Sequence, residues 1–368
     1  MTYYDYMQSY SWDEIKQEIL GKSKNDAIDA LNNPNRTIND FMALISPAAT
    51  SLLEDMAIES NRITLERFGN VIQMYIPLYV SNYCQNACVY CGFNHKNKIS
   101  RKMLTMDEID REIEAILKLG YKHILLVSGE APTKTNATYY NEVITRIRPY
   151  FSQIAIEVQP LETEEYRLLH ESGLGFVCVY QETYNEKAYP SYHPAGKKAD
   201  YRYRLETPDR IGSADVQKIG IGALLGLEDW RTDSFFTALH LKYLEKTYWR
   251  TRYSISLPRL RPHAGSFMPN DPISDREMVQ LICAYRLFDR DAEISISTRE
   301  SRKFRDHVMK LGATAMSAGS STEPGGYAEP HRELEQFAIN DSRSAEEMAE
   351  AIRAHGYEPV WKDWDNWK

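Results

Sequence analysis

From Gly69 onward the sequence alternates short apolar or β-branched runs with amphipathic helical runs, and it does so eight times. The runs that read as strands are 71–80, 123–129, 153–160, 175–183, 218–226, 252–260, 293–300 and 313–320. Between them, stretches such as "TMDEIDREIEAILKLG" and "SDREMVQLICAYRLFD" carry apolar residues at helical spacing. Strand–helix alternation sustained over roughly 250 residues predicts an α/β fold of the (β/α)8 TIM-barrel type, whose working end is the C-terminal end of its strands. Side-chain parity agrees, because a strand's side chains alternate between two faces. In "EISISTRE", Ile294 and Ile296 share one face, and Ser295, Ser297 and Arg299 share the other. In "QIAIEVQP", Ile154, Ile156 and Val158 lie opposite Glu157 and Gln159. Strands buried on both faces are apolar on both. A face that turns polar toward its C-terminal end therefore predicts a wet barrel mouth, with a half-exposed open sheet as the alternative.

The first seventy residues read as helices. Ser11 stands as a cap before "WDEIKQEIL", and Gly69 punctuates the end. The expected division is a helical extension over 1–70, the barrel over 71–322 and a C-terminal extension over 323–368. Apolar content of 43% with 26% charged residues is that of a globular chain. A net charge of -8 lacks the basic footprint that nucleic acid requires, so no nucleic-acid partner is expected. No run of about 18 apolar residues is present, so no membrane span is expected. The opening "MTYYDYMQSYSW" has neither the basic nor the apolar region of a secretion signal. A cytoplasmic, reducing setting follows, in which the five cysteines read as ligands or core residues rather than disulfides.

Three of those five fall in one short stretch, "CQNACVYCGF". Cys84, Cys88 and Cys91 directly follow the first strand, which puts them on the first loop at the barrel mouth. A structural zinc needs four ligands, and His95 is the available fourth. A four-iron cluster normally takes four thiolates. Three thiolates leave one iron open to a small molecule. The CxxxCxxC spacing, with Tyr90 before the last cysteine and Gly92-Phe93 after it, resembles the radical S-adenosylmethionine (SAM) enzymes. That resemblance implies a 4Fe-4S cluster on Cys84, Cys88 and Cys91, SAM chelated to the open iron, and SAM contacts from Tyr90 and Phe93. It also implies a 5′-deoxyadenosyl radical as the reactive species. Cys178 in a strand and Cys283 on an apolar helix face read as buried structural thiols.

The second strand ends in "VSGEAP". In the radical SAM family this place carries a Gly-Gly-Glu-like motif that holds the SAM ammonium. Here Ser128 stands for the first Gly, while Gly129 and Glu130 match. A carboxylate beside an ammonium forms a charge-assisted hydrogen bond. The resemblance likewise assigns Glu157 to the ribose hydroxyls. In "GIGALLG", Gly220, Gly222 and Gly226 share one parity. They suit either a flat adenine approaching the backbone at Gly222 or close packing alone.

Further stretches narrow the branch. "EVQPL", "VYQETY", "HPAGKK", "RLETPDR", "PRLRP", "SISTRE" and the terminal "PVWKDWDNWK" resemble the aromatic-amino-acid lyases, in particular the tyrosine lyases of thiamine thiazole biosynthesis. This implies L-tyrosine as substrate and cleavage of its Cα–Cβ bond to 2-iminoacetate and p-cresol. It further implies delivery of the imine to a thiazole synthase subunit, and a reduced flavodoxin or ferredoxin as electron donor. Arg299, ending the seventh strand, would grip the substrate carboxylate in bidentate fashion. Ser317 would assist, with Ser320 as competitor, while an ion pair between Arg299 and Glu300 is the structural alternative. Gln181 and Glu182 are expected at the pocket; Arg259 and Arg261 either bind anionic groups of SAM or brace the rim. A tryptophan lyase and an inactive iron–sulfur scaffold are the alternatives. The tyrosine lyase of iron-only hydrogenase maturation carries a second cysteine cluster, and this chain has no cysteine after Cys283. Trp361, Trp364 and Trp367 either pin the tail to the barrel or form a lid or docking surface.

Overall fold

Each of the eight expected runs forms a strand: β1 (Val71–Ser81), β2 (His123–Ser128), β3 (Gln153–Glu157), β4 (Phe176–Cys178), β5 (Lys218–Gly222), β6 (Arg252–Ser256), β7 (Glu293–Ile296) and β8 (Ala315–Ser317). The computed structural model describes residues 2–262, 266–329 and 336–362. The strands pair in parallel in chain order. β1 pairs with both β2 and β8, so the barrel closes and leaves no edge among the eight. Parallel neighbours need a crossover, and the amphipathic runs supply it as helices around the outside.

Most strands stop before the sequence pattern does. β3 ends at Glu157, β4 at Cys178, β5 at Gly222, β6 at Ser256 and β7 at Ile296. Beyond these points the chains splay into the mouth, where only single bridges persist, Glu182 to Ala223 and Leu225 to Arg259. The polar ends of the runs are therefore cavity wall rather than ladder. Along β1 the alternation is complete: Ile72, Met74, Ile76 and Leu78 pack outward under the helices. Tyr75, Pro77 and Tyr79 face the lumen.

A ninth strand, β9 (Glu358–Val360), pairs with Val71–Gln73 at the N-terminal end of β1, opposite the mouth. It was not visible in the sequence because it is three residues long with Pro359 at its centre, a residue tolerated only at sheet edges. Trp361 follows it and meets Tyr121 edge-on at 5.1 Å, so the described part of the tail is pinned to the barrel floor. Trp364 and Trp367 lie outside the described residues.

The N-terminal helices, from Tyr3–Met7 to Leu53–Phe68, pack on the outer wall against Trp230–Thr247 and Asp275–Phe288. Trp12 stacks on Phe236 at 5.6 Å and Tyr3 on His240 at 3.7 Å. Ser11 occupies the cap position but its side chain makes no cap bond. Gly69 ends the last helix at φ 70°, where glycine is the natural residue. Among the described residues no single helix is long and apolar enough to cross a membrane.

Candidate active site

The loop after β1 is shaped by protein donors. The Arg101 guanidinium donates to the carbonyls of Asn82 (2.7 Å), Phe93 (2.9 Å) and Asn94 (2.7 Å). Asn94 Nδ2 donates to the Cys88 carbonyl at 2.9 Å, and Asn97 Nδ2 to that of Gly92 at 2.9 Å. Two backbone bonds tie the loop to the end of β2: Gly129 N–H to Ser81 and Gln85 N–H to Glu130, each at 2.9 Å. A Cβ on Gly129 would run into the Tyr83 carbonyl, so this close approach requires glycine.

Cys84, Cys88 and Cys91 line one cavity at the barrel mouth, and none forms a disulfide. Burial pushes the Cys84 thiol up to about 11 and raises Cys88 and Cys91 as well. Such thiols become thiolates when a metal centre supplies the compensating charge. Among the described residues no three His, Cys, Asp or Glu side chains gather tightly enough for one metal ion. His95 directs Nδ1 at the Asn86 carbonyl, 3.0 Å away, and is not part of the cavity wall. Three thiols lining one cavity would suit an iron–sulfur cluster with an open site, whereas a structural zinc needs four ligands.

Glu130 stands beside the thiols. Its Oε1 accepts from Arg204 Nη1 at 2.8 Å and its Oε2 from Asn86 Nδ2 at 2.7 Å. Burial works to raise this carboxyl, but the charges of Arg204 and Lys198 outweigh it and hold Glu130 below the usual range. Lys198 Nζ donates to Glu182 Oε1 at 2.6 Å, with Arg204 Nη2 at 3.6 Å from the same oxygen. Two acids and two cations thus form one buried network, and each carboxylate oxygen retains a lone pair for a ligand. Glu157 is different. Its carboxylate lines the cavity and accepts no hydrogen bond from the described residues. Burial pushes it up to about 7, against the pull of Arg299. Tyr90 shares a 2.7 Å hydrogen bond with His193 Nε2, and Phe93 meets Tyr79 edge-on at 6.0 Å; both Tyr90 and Phe93 line the cavity.

Gly222 is not part of the cavity wall. A Cβ there would meet the Ser256 carbonyl first and the Tyr180 ring at 3.4 Å, and it is Tyr180 that faces the cavity. At Gly222 the strand backbone therefore packs closely against its neighbours. Gln181 is likewise absent from the wall; its amide is buried without a partner, while Glu182 faces the cavity at φ 72°.

Across the cavity, the Arg299 guanidinium lies 3.5 Å from the Phe337 ring centre. The expected alternative partner, Glu300, turns away to bond Arg259, with Arg261 Nη2 at 3.4 Å. Arg259 also binds Asp275 at 2.7 Å and so braces the rim. Arg261 does reach the cavity, and its Nε has no partner. Among the described residues nothing hydrogen-bonds the Arg299 guanidinium. Ser317 and Ser320 both line the cavity. The Ser317 hydroxyl is within hydrogen-bonding reach of Tyr75, whereas Ser320 Oγ is buried with no partner among the described residues. Sequence reasoning missed Asn86, Lys198, Arg204, Gln336 and Phe337. The only advance signal was the pair of basic stretches "HPAGKK" and "RLETPDR", whose partners lie on other loops.

Residues 78–238 match the Radical SAM superfamily, and residues 256–358 match the Biotin and Thiamin Synthesis associated domain. The 2-iminoacetate synthases of Salmonella typhimurium and Escherichia coli are each 48% identical over 367 residues, covering 100% of this chain and 97% of theirs. The crystal structure of HydG, a maturase of the FeFe-hydrogenase, superposes with a TM-score of 0.90 at 32% identity, covering 95% of this chain and 80% of that one.

Proposed function

The chain belongs to the radical SAM enzymes and, within them, to the 2-iminoacetate synthase family, and from that premise we propose how its cavity cleaves tyrosine. The observation that carries the assignment of residues is convergence: Cys84, Cys88, Cys91, Glu130, Glu157 and Arg299, drawn from four separate strand ends, line one cavity. Cys84, Cys88 and Cys91 would hold the 4Fe-4S cluster. There the cluster with SAM would supply the radical chemistry that takes hydrogen from the tyrosine amino group and breaks the Cα–Cβ bond to give 2-iminoacetate and p-cresol.

The chain's own part is positioning. Glu130 is held ionised by Arg204 and Lys198, which suits it to accept from the SAM ammonium. Glu157, which accepts no hydrogen bond from the described residues, is available to the ribose hydroxyls. Tyr90 and Phe93 wall the same end of the cavity. Arg299 holds the tyrosine carboxylate with both arms, assisted by Ser317 or Ser320. The Arg299–Phe337 stack fixes the plane of that fork. Closing strand ends and loops around the cavity keeps water from a reactive imine.

The wider setting follows from the family. The product goes to a thiazole synthase subunit in thiamine biosynthesis, and a reduced flavodoxin or ferredoxin supplies the electron. Five unpaired thiols suit a reducing cytoplasm. The test is anaerobic: load iron and sulfide, reduce, add SAM and tyrosine, and quantify 5′-deoxyadenosine and p-cresol together. Both products are expected. 5′-Deoxyadenosine without p-cresol would reject tyrosine and make tryptophan the next substrate, and neither product from a fully loaded cluster would leave a scaffold.

A further inference from the structure

The C-terminal extension returns to the mouth. Gln336 N–H donates to the Thr322 carbonyl at 3.1 Å, Ala338 N–H to Pro262 at 3.1 Å, and Asn340 N–H to Thr298 at 2.9 Å. This segment therefore lies across the loops that follow β6, β7 and β8. Phe337 supports Arg299 from it. Its neighbour Gln336 points to the other side of the cavity, where Nε2 donates to Cys91 Sγ at 3.7 Å. The amide is not free to turn. Its Oε1 accepts from the Tyr79 hydroxyl at 2.8 Å, which leaves the N–H2 end facing sulfur.

We propose that Gln336 is a positioning residue for the cluster, donating a hydrogen bond to the Cys91 thiolate and thereby raising the cluster's reduction potential. The inference rests on the reading that Cys84, Cys88 and Cys91 hold that cluster. Hydrogen bonds to cluster sulfurs are among the levers that set its potential. Reduction adds one negative charge, and a donor aimed at sulfur stabilises the reduced form more than the oxidised one. Tyr79 acts one step further out, by fixing which end of the amide faces Cys91. The residue that tunes the electron source and the residue that supports the substrate's arginine are thus adjacent in the chain.

The experiment compares wild type, Gln336→Leu, Gln336→Glu and Tyr79→Phe after anaerobic reconstitution. Iron content is measured first, then the midpoint potential by EPR-monitored redox titration without SAM or tyrosine. Gln336→Leu removes the donor, and a shift to more negative potential is expected. Gln336→Glu keeps the shape and the acceptor for Tyr79 but presents oxygen to sulfur, so a larger shift in the same direction is expected. Tyr79→Phe leaves the donor unaligned and gives a smaller one. Unchanged potentials in both Gln336 variants with full iron overturn the proposal. Loss of iron in both would also overturn it, since Gln336 would then hold the loop rather than tune the cluster. Loss in the Leu variant alone leaves the isosteric Glu variant to decide. A wild type that binds no four-iron cluster would overturn the ligand assignment beneath.

Discussion

At the scale of single residues, chemistry survives in sequence when it depends on spacing along the chain, and is lost when it depends on spacing across it. Cys84, Cys88 and Cys91 were legible because all three lie on one loop. Arg299 was legible by parity: it shares a face with Ser295 and Ser297, and that face is the lumen. Arg204 was not, because its partner Glu130 is 74 residues away. For Gly222 parity gives a direction only, and the residue is not part of the cavity wall. Arg299 yields the sharpest test. Bonds to charged groups contribute about 1.5–3 kcal/mol each, so losing both arms in Arg299→Ala should lower kcat/KM for tyrosine by about 100-fold or more. Arg299→Lys should recover only part, since it keeps charge but not the planar fork. Cluster content and SAM binding should not change. An Ala variant with normal tyrosine kcat/KM would remove Arg299 from the substrate.

At the scale of elements, all eight barrel strands were readable because each lies in an apolar or β-branched run between helical runs, but their ends were not. Nothing in "QIAIEVQP" marks Glu157 as the last paired residue; the ladder stops where neighbouring strands diverge around the cavity, and that divergence is a property of the closed barrel. β9 escaped notice because its three residues, centred on Pro359, are not part of a longer apolar run, unlike the equally short β4 and β8. The cysteine loop shows how an element prepares a site. Its carbonyls are held by Arg101, and it presses on β2 at a point where only glycine fits. Gly129→Ala should force the Tyr83–Cys84 segment away from β2 and disperse the thiols. Iron bound per chain after reconstitution should fall well below wild type, while the far-ultraviolet circular dichroism stays unchanged because no barrel strand is touched. A Gly129→Ala protein that loads iron normally would show that the loop adapts on its own.

At the scale of the whole molecule, a barrel that keeps titratable groups out of water couples its stability to pH, and the groups pull in opposite directions. Burial depresses His123 to about 4, His193 to about 2 and His240 to about 3. The unfolded chain takes up these protons first as pH falls below the ordinary 6.5, so the histidines make the iron-free fold lose stability on acidification. Glu157 acts the other way. Its folded value of about 7 exceeds the ordinary 4.5, so between those two pH values the folded chain binds more protons than the unfolded one. Its contribution therefore falls as pH rises from 4.5 to 7. A single stability curve mixes the two, but the difference between wild type and Glu157→Gln separates them. Denaturant unfolding of the iron-free proteins in steps across this window should show the variant gaining on wild type as pH rises, with no further divergence above about 8, where Glu157 is ionised in both states. Parallel curves would mean that Glu157 is already ionised at the lower end of the window. A carboxylate so poised, facing the cavity with no hydrogen bond from the described residues, costs the folded barrel progressively more as pH rises through this window, and a glutamine there carries no such pH-dependent cost.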